Sequence, residues 1–126
     1  MWRGAYQLGA SFIFTIGDRY KPESADTAKA WREIPLHRYP DFETFWASLP
    51  YSCPVVAVEM DGKSLVKFVH PERCIYLLGA EDIGLSADIL AKCHHRVAIP
   101  AVRTVSFNVA QAGTVVMYDR LAKVGG

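Results

Sequence analysis

The sequence predicts an α/β domain with a mostly parallel sheet, and three observations predict it. Short runs rich in β-branched and aromatic residues recur along the chain: "SFIFTI", "PVVAVEM", "RCIYLL" and "RVAIP". Helical patterns with capping residues lie between and after these runs, so strands and helices alternate four times. Glycine and proline punctuate the junctions rather than pairing neighbouring runs into hairpins.

The elements follow in order. Helical spacing in "WRGAYQLGA" ends at Gly9, and "SFIFTI" reads as a buried strand over Ser11 to Ile16. "GDRYKPESADT" is a polar loop, and "AKAWREIPLHRY" runs through a short helical turn into Pro35, where a helix must stop. Asp41 is the expected N-cap of "FETFWASL", with Phe42, Phe45, Trp46 and Leu49 on one face. "PVVAVEM" is a continuous buried strand over Pro54 to Glu59. Asp61-Gly62 is a turn; a hairpin to "SLVKFV" is possible there, but Leu65, Phe68 and Val69 fit a short helix or loop better. "RCIYLL" ends at Gly79, Ser86 caps a helix with Asp88 in its first turn, and "RVAIP" leads to a last helix, "SFNVAQAGTVVMYDRL", capped by Ser106.

Composition bounds the function. The 126 residues are 51% hydrophobic, which suits one domain with a real core and no linker. No apolar run approaches the ~18 residues of a membrane span and no signal-peptide pattern opens the chain, so a cytoplasmic protein is expected. The net charge of +1 leaves any polyanion to a local patch. Cys53, Cys74 and Cys93 match neither a disulfide framework nor a paired zinc motif. Cys93-His94-His95 has no second cluster at ligand spacing, so no metal is expected.

The stretch "YLLGAEDIGLSADIL" carries the chemistry. A strand ending in Gly79, a turn, and a helix start at Ser86 would present backbone N–H groups to a ligand. A phosphate loop would need a lysine after the second glycine, whereas Leu85 follows Gly84 and two acids, Glu81 and Asp82, sit inside the loop. The expected ligand is therefore neutral or cationic, and a nucleoside triphosphate is disfavoured.

Three segments combine: "LLGAEDIGLS", Ile99-Pro100, and "SFNVAQAG". In this order and spacing the chain from Cys74 to about Leu121 resembles the SpoU/TrmH family of SPOUT-class RNA 2′-O-ribose methyltransferases, whose motifs read G-x-E-x-x-G-L, I-P and S-L/F-N-V-x-x-A. The resemblance implies an α/β fold with a C-terminal trefoil knot, a homodimer, S-adenosylmethionine as cofactor, and a ribose 2′-OH of tRNA or rRNA as substrate. Composition could not have suggested a knot, since knots are nearly absent from proteins.

Carried over by position, Val58, Gly79, Gly84, Ile99, Ser106 and Val109 match cofactor contacts, and Glu81 and Asn108 match polar groups around the transferred methyl. Read alone, Glu81 would be a solvated loop acid and Ser106 a helix cap. "MWRGAYQLGASF" resembles the end of the family's first motif, which puts Arg3 on the arginine that attends the hydroxyl. An always-protonated guanidinium suits a stabiliser of the developing alkoxide better than a base. The motif's asparagine and first strand have no counterpart in this sequence, and low transfer activity is the expectation that follows. Arg103 is the best single residue for RNA phosphate, with Arg32 and Arg38 in an aromatic-interleaved stretch as further RNA contacts. The alternative function is a non-catalytic RNA- or S-adenosylmethionine-binding dimer. A dimer interface is expected on Val116, Tyr118 and Leu8.

Overall fold

The computed structural model describes residues 7–17, 35–79, 84–100 and 109–124. The chain forms two compact units, Met1–Tyr51 and Ser52–Gly126.

The first unit is built on aromatics. Strand β1 (Ile13–Ile16) pairs in parallel with β2 (Leu36–Tyr39), Ile13 opposite Leu36 and Ile16 opposite Tyr39. The pairing is closed at both ends by Ile13 N–H to Pro35 O and Gly17 N–H to Tyr39 O. Helix α1 (Phe42–Ala47) starts where expected, because the Asp41 carboxylate accepts the Thr44 N–H at 2.8 Å. The hydrogen bond to Thr44 also holds the Asp41 carboxyl below its ordinary pKa. Phe45, 1% exposed, is the hub: Phe14 stacks on it at 4.7 Å and Tyr39 meets it edge-on at 5.5 Å. Among the described residues of "AKAWREIPLHRY", those after Pro35 are a strand rather than the tail of a helical turn. Proline favours extended backbone beside it, and β1 supplies the partner.

The second unit holds a three-stranded parallel sheet in the order β4-β3-β5, with β3 (Val55–Ser64) central, β4 (Ile75–Leu78) and β5 (His95–Ala98). Every described pairing is parallel, as the alternation of elements predicts. The core gathers Val56, Leu65, Phe68, Val97 and Val116, with Val58, Cys74, Tyr76 and Ile99 packed against it. Val116 comes from the last helix, α3 (Val109–Val124), which lies on β4.

Strand β3 departs from the sequence reading. The expected turn at Asp61-Gly62 does not form; the strand runs on to Ser64 and then makes one 3-10 turn, Leu65–Lys67. Val58 and Lys63 both register on Val97, so the four intervening residues bulge out of the ladder to β5. Gly62 permits this, since a Cβ there would lie 2.6 Å from Val97 N. The amino end of β3 is tied to the residue before β5: His94 N–H donates to Val55 O, and Val55 N–H donates to His94 Nδ1, both at 2.9 Å.

Val116 also corrects an expectation. It is wholly buried in the chain's own core and has no surface to offer a second subunit. Tyr118 remains 62% exposed, and Leu8 is half-buried.

Candidate functional site

Parallel pairing brings the expected site residues to one edge. Val58 registers on Leu78 of β4 and on Val97 of β5. Gly79 is the next residue after Leu78, and Ile99 follows Ala98 at the end of β5. Val58 ends the pairing of β3 with β4, Gly79 follows the carboxyl end of β4 and Ile99 that of β5, so the three lie on neighbouring strands of one parallel sheet, near the edge where open parallel sheets bind ligands.

Gly79 and Gly84 meet directly. A Cβ on Gly79 would lie 2.6 Å from Leu85 N and press still closer on the Gly84 carbonyl carbon. The returning chain thus occupies the space that a side chain at position 79 would need. Close packing of the chain on itself is reason enough for a glycine at position 79. Gly84 has a different reason to be glycine, a left-handed φ of +72°. Its open side faces Glu59, whose Oε2 would lie 3.6 Å from an added Cβ.

Glu59 was not foreseen. It opens the β3 bulge, and its Oε1 accepts the Met60 N–H at 2.9 Å, which aims the other oxygen at the glycine crossing. The sequence shows only an acid at the end of an apolar run, and the bulge that turns it toward Gly84 depends on pairing with β5. Arg96 and Asp61 approach to 3.8 Å across the same bulge, both well exposed.

Helix α2 (Ala87–Lys92) leaves the crossing, with the Ser86 hydroxyl accepting the Ile89 N–H at 3.3 Å. Cys93 ends it and donates its thiol to Ile89 O at 3.3 Å; burial pushes that thiol's pKa up, against the lowering effect of Arg96. Val109 opens α3 and is half-buried. Arg38 sits exposed on β2 in the first unit. Arg3, Arg32, Glu81, Arg103, Ser106 and Asn108 lie outside the described residues.

A second group of polar side chains went unread. His70 is buried, with Nδ1 2.6 Å from the Tyr76 hydroxyl and Nε2 2.7 Å from Asp119 Oδ2. Lys123 Nζ reaches the same carboxylate oxygen at 2.9 Å. The i,i+4 spacing of Asp119 and Lys123 was legible as a helix pair, but nothing local joined it to His70. Burial pushes the Tyr76 hydroxyl's pKa well up, with Cys74 adding to the rise and Arg120 opposing it. It therefore stays protonated as a donor.

A close approach of two glycine backbones just past β4, with a carboxylate beside it, belongs here to an α/β domain with a parallel sheet whose sequence offers no lysine in that turn for a polyphosphate. Comparison with known proteins makes that class specific. The profile of the SpoU rRNA Methylase family matches residues 1–118, and the chain belongs to that family. No curated protein matches the sequence significantly. Among solved structures, the chain is similar to the SpoU methyltransferase AviRb from Streptomyces viridochromogenes in complex with AdoMet. The two share 26% identity at a TM-score of 0.82, over 99% of this chain and 55% of that one. An AdoMet-bound rRNA methyltransferase from Sinorhizobium meliloti is 25% identical at a TM-score of 0.80, over 98% of this chain and 50% of that one. A protein described by the 2-OH methylation of C/U34 on tRNA is 27% identical at a TM-score of 0.83, over 98% of this chain and 85% of that one. The chain spans about half the length of the first two. Among the described residues, no helix is long and apolar enough to cross a membrane.

Proposed function

We propose that the chain is one SpoU-type methyltransferase domain that moves a methyl group from S-adenosylmethionine to a ribose 2′-OH of tRNA or rRNA. The observation that carries this reading is the Gly79–Gly84 crossing beside Val58 and Ile99, in a chain whose family profile runs through both units. The AdoMet-bound relatives support the cofactor, and the relative tied to 2-OH methylation of tRNA supports the acceptor.

The residues present fit the cofactor. The Glu59 carboxylate, whose Oε2 would lie 3.6 Å from a Cβ on Gly84, suits a cation or a hydroxyl rather than a phosphate. Val58, Gly79, Gly84, Ile99, Ser106 and Val109 are the residues we assign to hold it. Bound there, S-adenosylmethionine supplies an electrophilic methyl on a sulfonium.

The chain's own task is then positioning, because in-line displacement needs the hydroxyl oxygen within contact distance and a route for its proton. We assign Glu81 and Asn108 to orient the reacting groups, and Arg3 to stabilise the oxygen as its proton leaves. Arg38, Arg32 and Arg103 are the proposed contacts to RNA phosphates. We further propose a knotted C-terminal region and a homodimer. The exposed apolar face of α3, Val115, Tyr118, Leu121 and Val124, supports a covering partner. With RNA as substrate, the cytoplasm is the expected compartment.

The test is transfer of labelled methyl to total RNA, followed by nucleoside mapping. A 2′-O-methylated nucleoside is expected. Cofactor and RNA binding without transfer would favour the non-catalytic dimer instead, and ATP binding with no response to S-adenosylmethionine would overturn the reading.

A further inference from the structure

The connection from β3 to β4 runs from Leu65 to Cys74 with only one 3-10 turn, Leu65–Lys67. A parallel crossover is usually a helix, which satisfies its own backbone carbonyls. Here α3 does that work through side chains. Lys123 Nζ donates to Leu65 O at 2.6 Å and to Phe68 O at 2.9 Å, and its third proton serves Asp119. Arg120 Nη1 donates to Pro71 O at 2.6 Å and to the Tyr76 hydroxyl at 3.3 Å, and Nη2 donates to Glu72 O.

His70 completes the set in one direction. The Asp119 carboxylate only accepts, so Nε2 carries the proton toward it. Tyr76 accepts from Arg120 and shares a 2.6 Å hydrogen bond with Nδ1. The chain of bonds runs from Arg120 through Tyr76 and His70 to Asp119, where Lys123 meets it. Slipping α3 by one residue would break each of these bonds together.

We infer that His70 is a positioning residue for the cofactor site, locking α3 to β4 through Asp119 and Tyr76. The two elements it joins both lead to that site. Gly79 lies three residues beyond Tyr76 on the same strand's exit, and Val109 opens the helix that carries Asp119. Asp119 is about 15 Å from Val109 along the helix axis, so His70 is remote from the helix end that meets the cofactor site and acts on it through the elements it ties. The inference rests on the S-adenosylmethionine reading above and assigns His70 a role within it.

The test compares H70Q and D119N with V55A, a cavity variant at the amino end of β3, outside the cluster on which Val58, Tyr76 and Ile99 pack. S-adenosylmethionine affinity is measured by calorimetry well below each variant's melting midpoint, where circular dichroism shows the native fold, alongside KM for cofactor and for RNA. H70Q and D119N should weaken cofactor binding about tenfold and leave KM for RNA within about twofold. V55A should bind cofactor as wild type does, even where it melts as early. Wild-type affinity in folded H70Q and D119N would overturn the inference, as would equal weakening in V55A. Should D119N not fold, H70Q and Y76F decide the matter on the same criteria. Failure of the wild-type chain itself to bind S-adenosylmethionine would instead overturn the functional reading, and this inference with it.

Discussion

The two ends of β4 are held by opposite means. At its carboxyl end, Gly79 lies against Gly84 and Leu85 because side-chain atoms are missing there. At its amino end and along the crossover before it, His70, Tyr76, Asp119, Arg120 and Lys123 are joined because particular polar atoms are present. The first arrangement tolerates no addition, whereas the second tolerates no subtraction. The difference sets how each region should respond to substitution.

The largest effect belongs to the glycine crossing. Gly79→Ala puts a methyl 2.6 Å from Leu85 N, a backbone atom that cannot rotate away, and should cost about 3 kcal/mol or more. Gly62→Ala, equally close to Val97 N, belongs to the same class. Urea unfolding midpoints measure both, and a shift as small as that of an ordinary surface change would mean the crossing is looser than described.

Next comes the polar end. Removing the Asp119 charge by D119N leaves Lys123 and His70 with a weaker acceptor, at a cost of about 2 kcal/mol near neutrality. This loss has a pH signature. Desolvation alone would raise the Asp119 pKa, but the hydrogen bonds from His70 and Lys123, with the Lys123 charge, outweigh it and leave it below its ordinary value. A carboxyl whose pKa is depressed by folding stabilises the native state above its unfolded value of ~3.9, and the contribution is lost as pH falls through the native value. The gap in melting temperature between wild type and D119N should be steady from pH 7 to about 5 and close below about 4. A gap that persists at acid pH would place its origin in shape rather than charge.

Gly84→Ala sharpens the contrast within the crossing. Space is not the obstacle, since the nearest atom is the flexible Glu59 carboxylate at 3.6 Å, but the φ of +72° penalises any Cβ. The expected cost is about 1–2 kcal/mol, below that of Gly79→Ala. If the two cost the same, the close approach at Gly79 is not what the glycine is for.

The same contrast governs what could be read from the sequence. Gly79 and Gly84 stood out because a glycine-spaced turn between an apolar run and a helix cap is a local pattern. Val58 and Ile99 came only from the family resemblance, and the pairing of β3 with β4 and β5 is what sets them on strands beside the glycines. His70 and Asp119 are 49 residues apart and look like a loop histidine and a surface acid until α3 docks on the crossover. Strand β2 was missed for a related reason: "LHRY" carries little local strand signal and becomes a strand by pairing with β1. Continuation of β3 through Asp61-Gly62 likewise depends on β5, because a turn dipeptide is overridden only when a neighbouring backbone supplies the bonds. Val116 was assigned to an interface because a helix's apolar residues do not say which of two apolar faces turns inward.

The smallest effect is expected where the two modes of holding meet. Ser86 follows the crossing by one residue and caps α2, its hydroxyl accepting the Ile89 N–H at 3.3 Å. It is the one described side-chain bond at the exit of the turn, so it measures how much the crossing owes to hydrogen bonding. Ser86→Ala removes a cap from an exposed six-residue helix with no buried residues, where water can replace the lost acceptor. The expected loss is about 0.5–1 kcal/mol, read as a small fall in urea midpoint with an unchanged slope. Such a result would leave the crossing defined by backbone fit alone. A loss as large as that of Gly79→Ala would mean the cap fixes the turn that carries Gly84, and the carboxyl end of β4 would then depend on a polar atom as much as the amino end does.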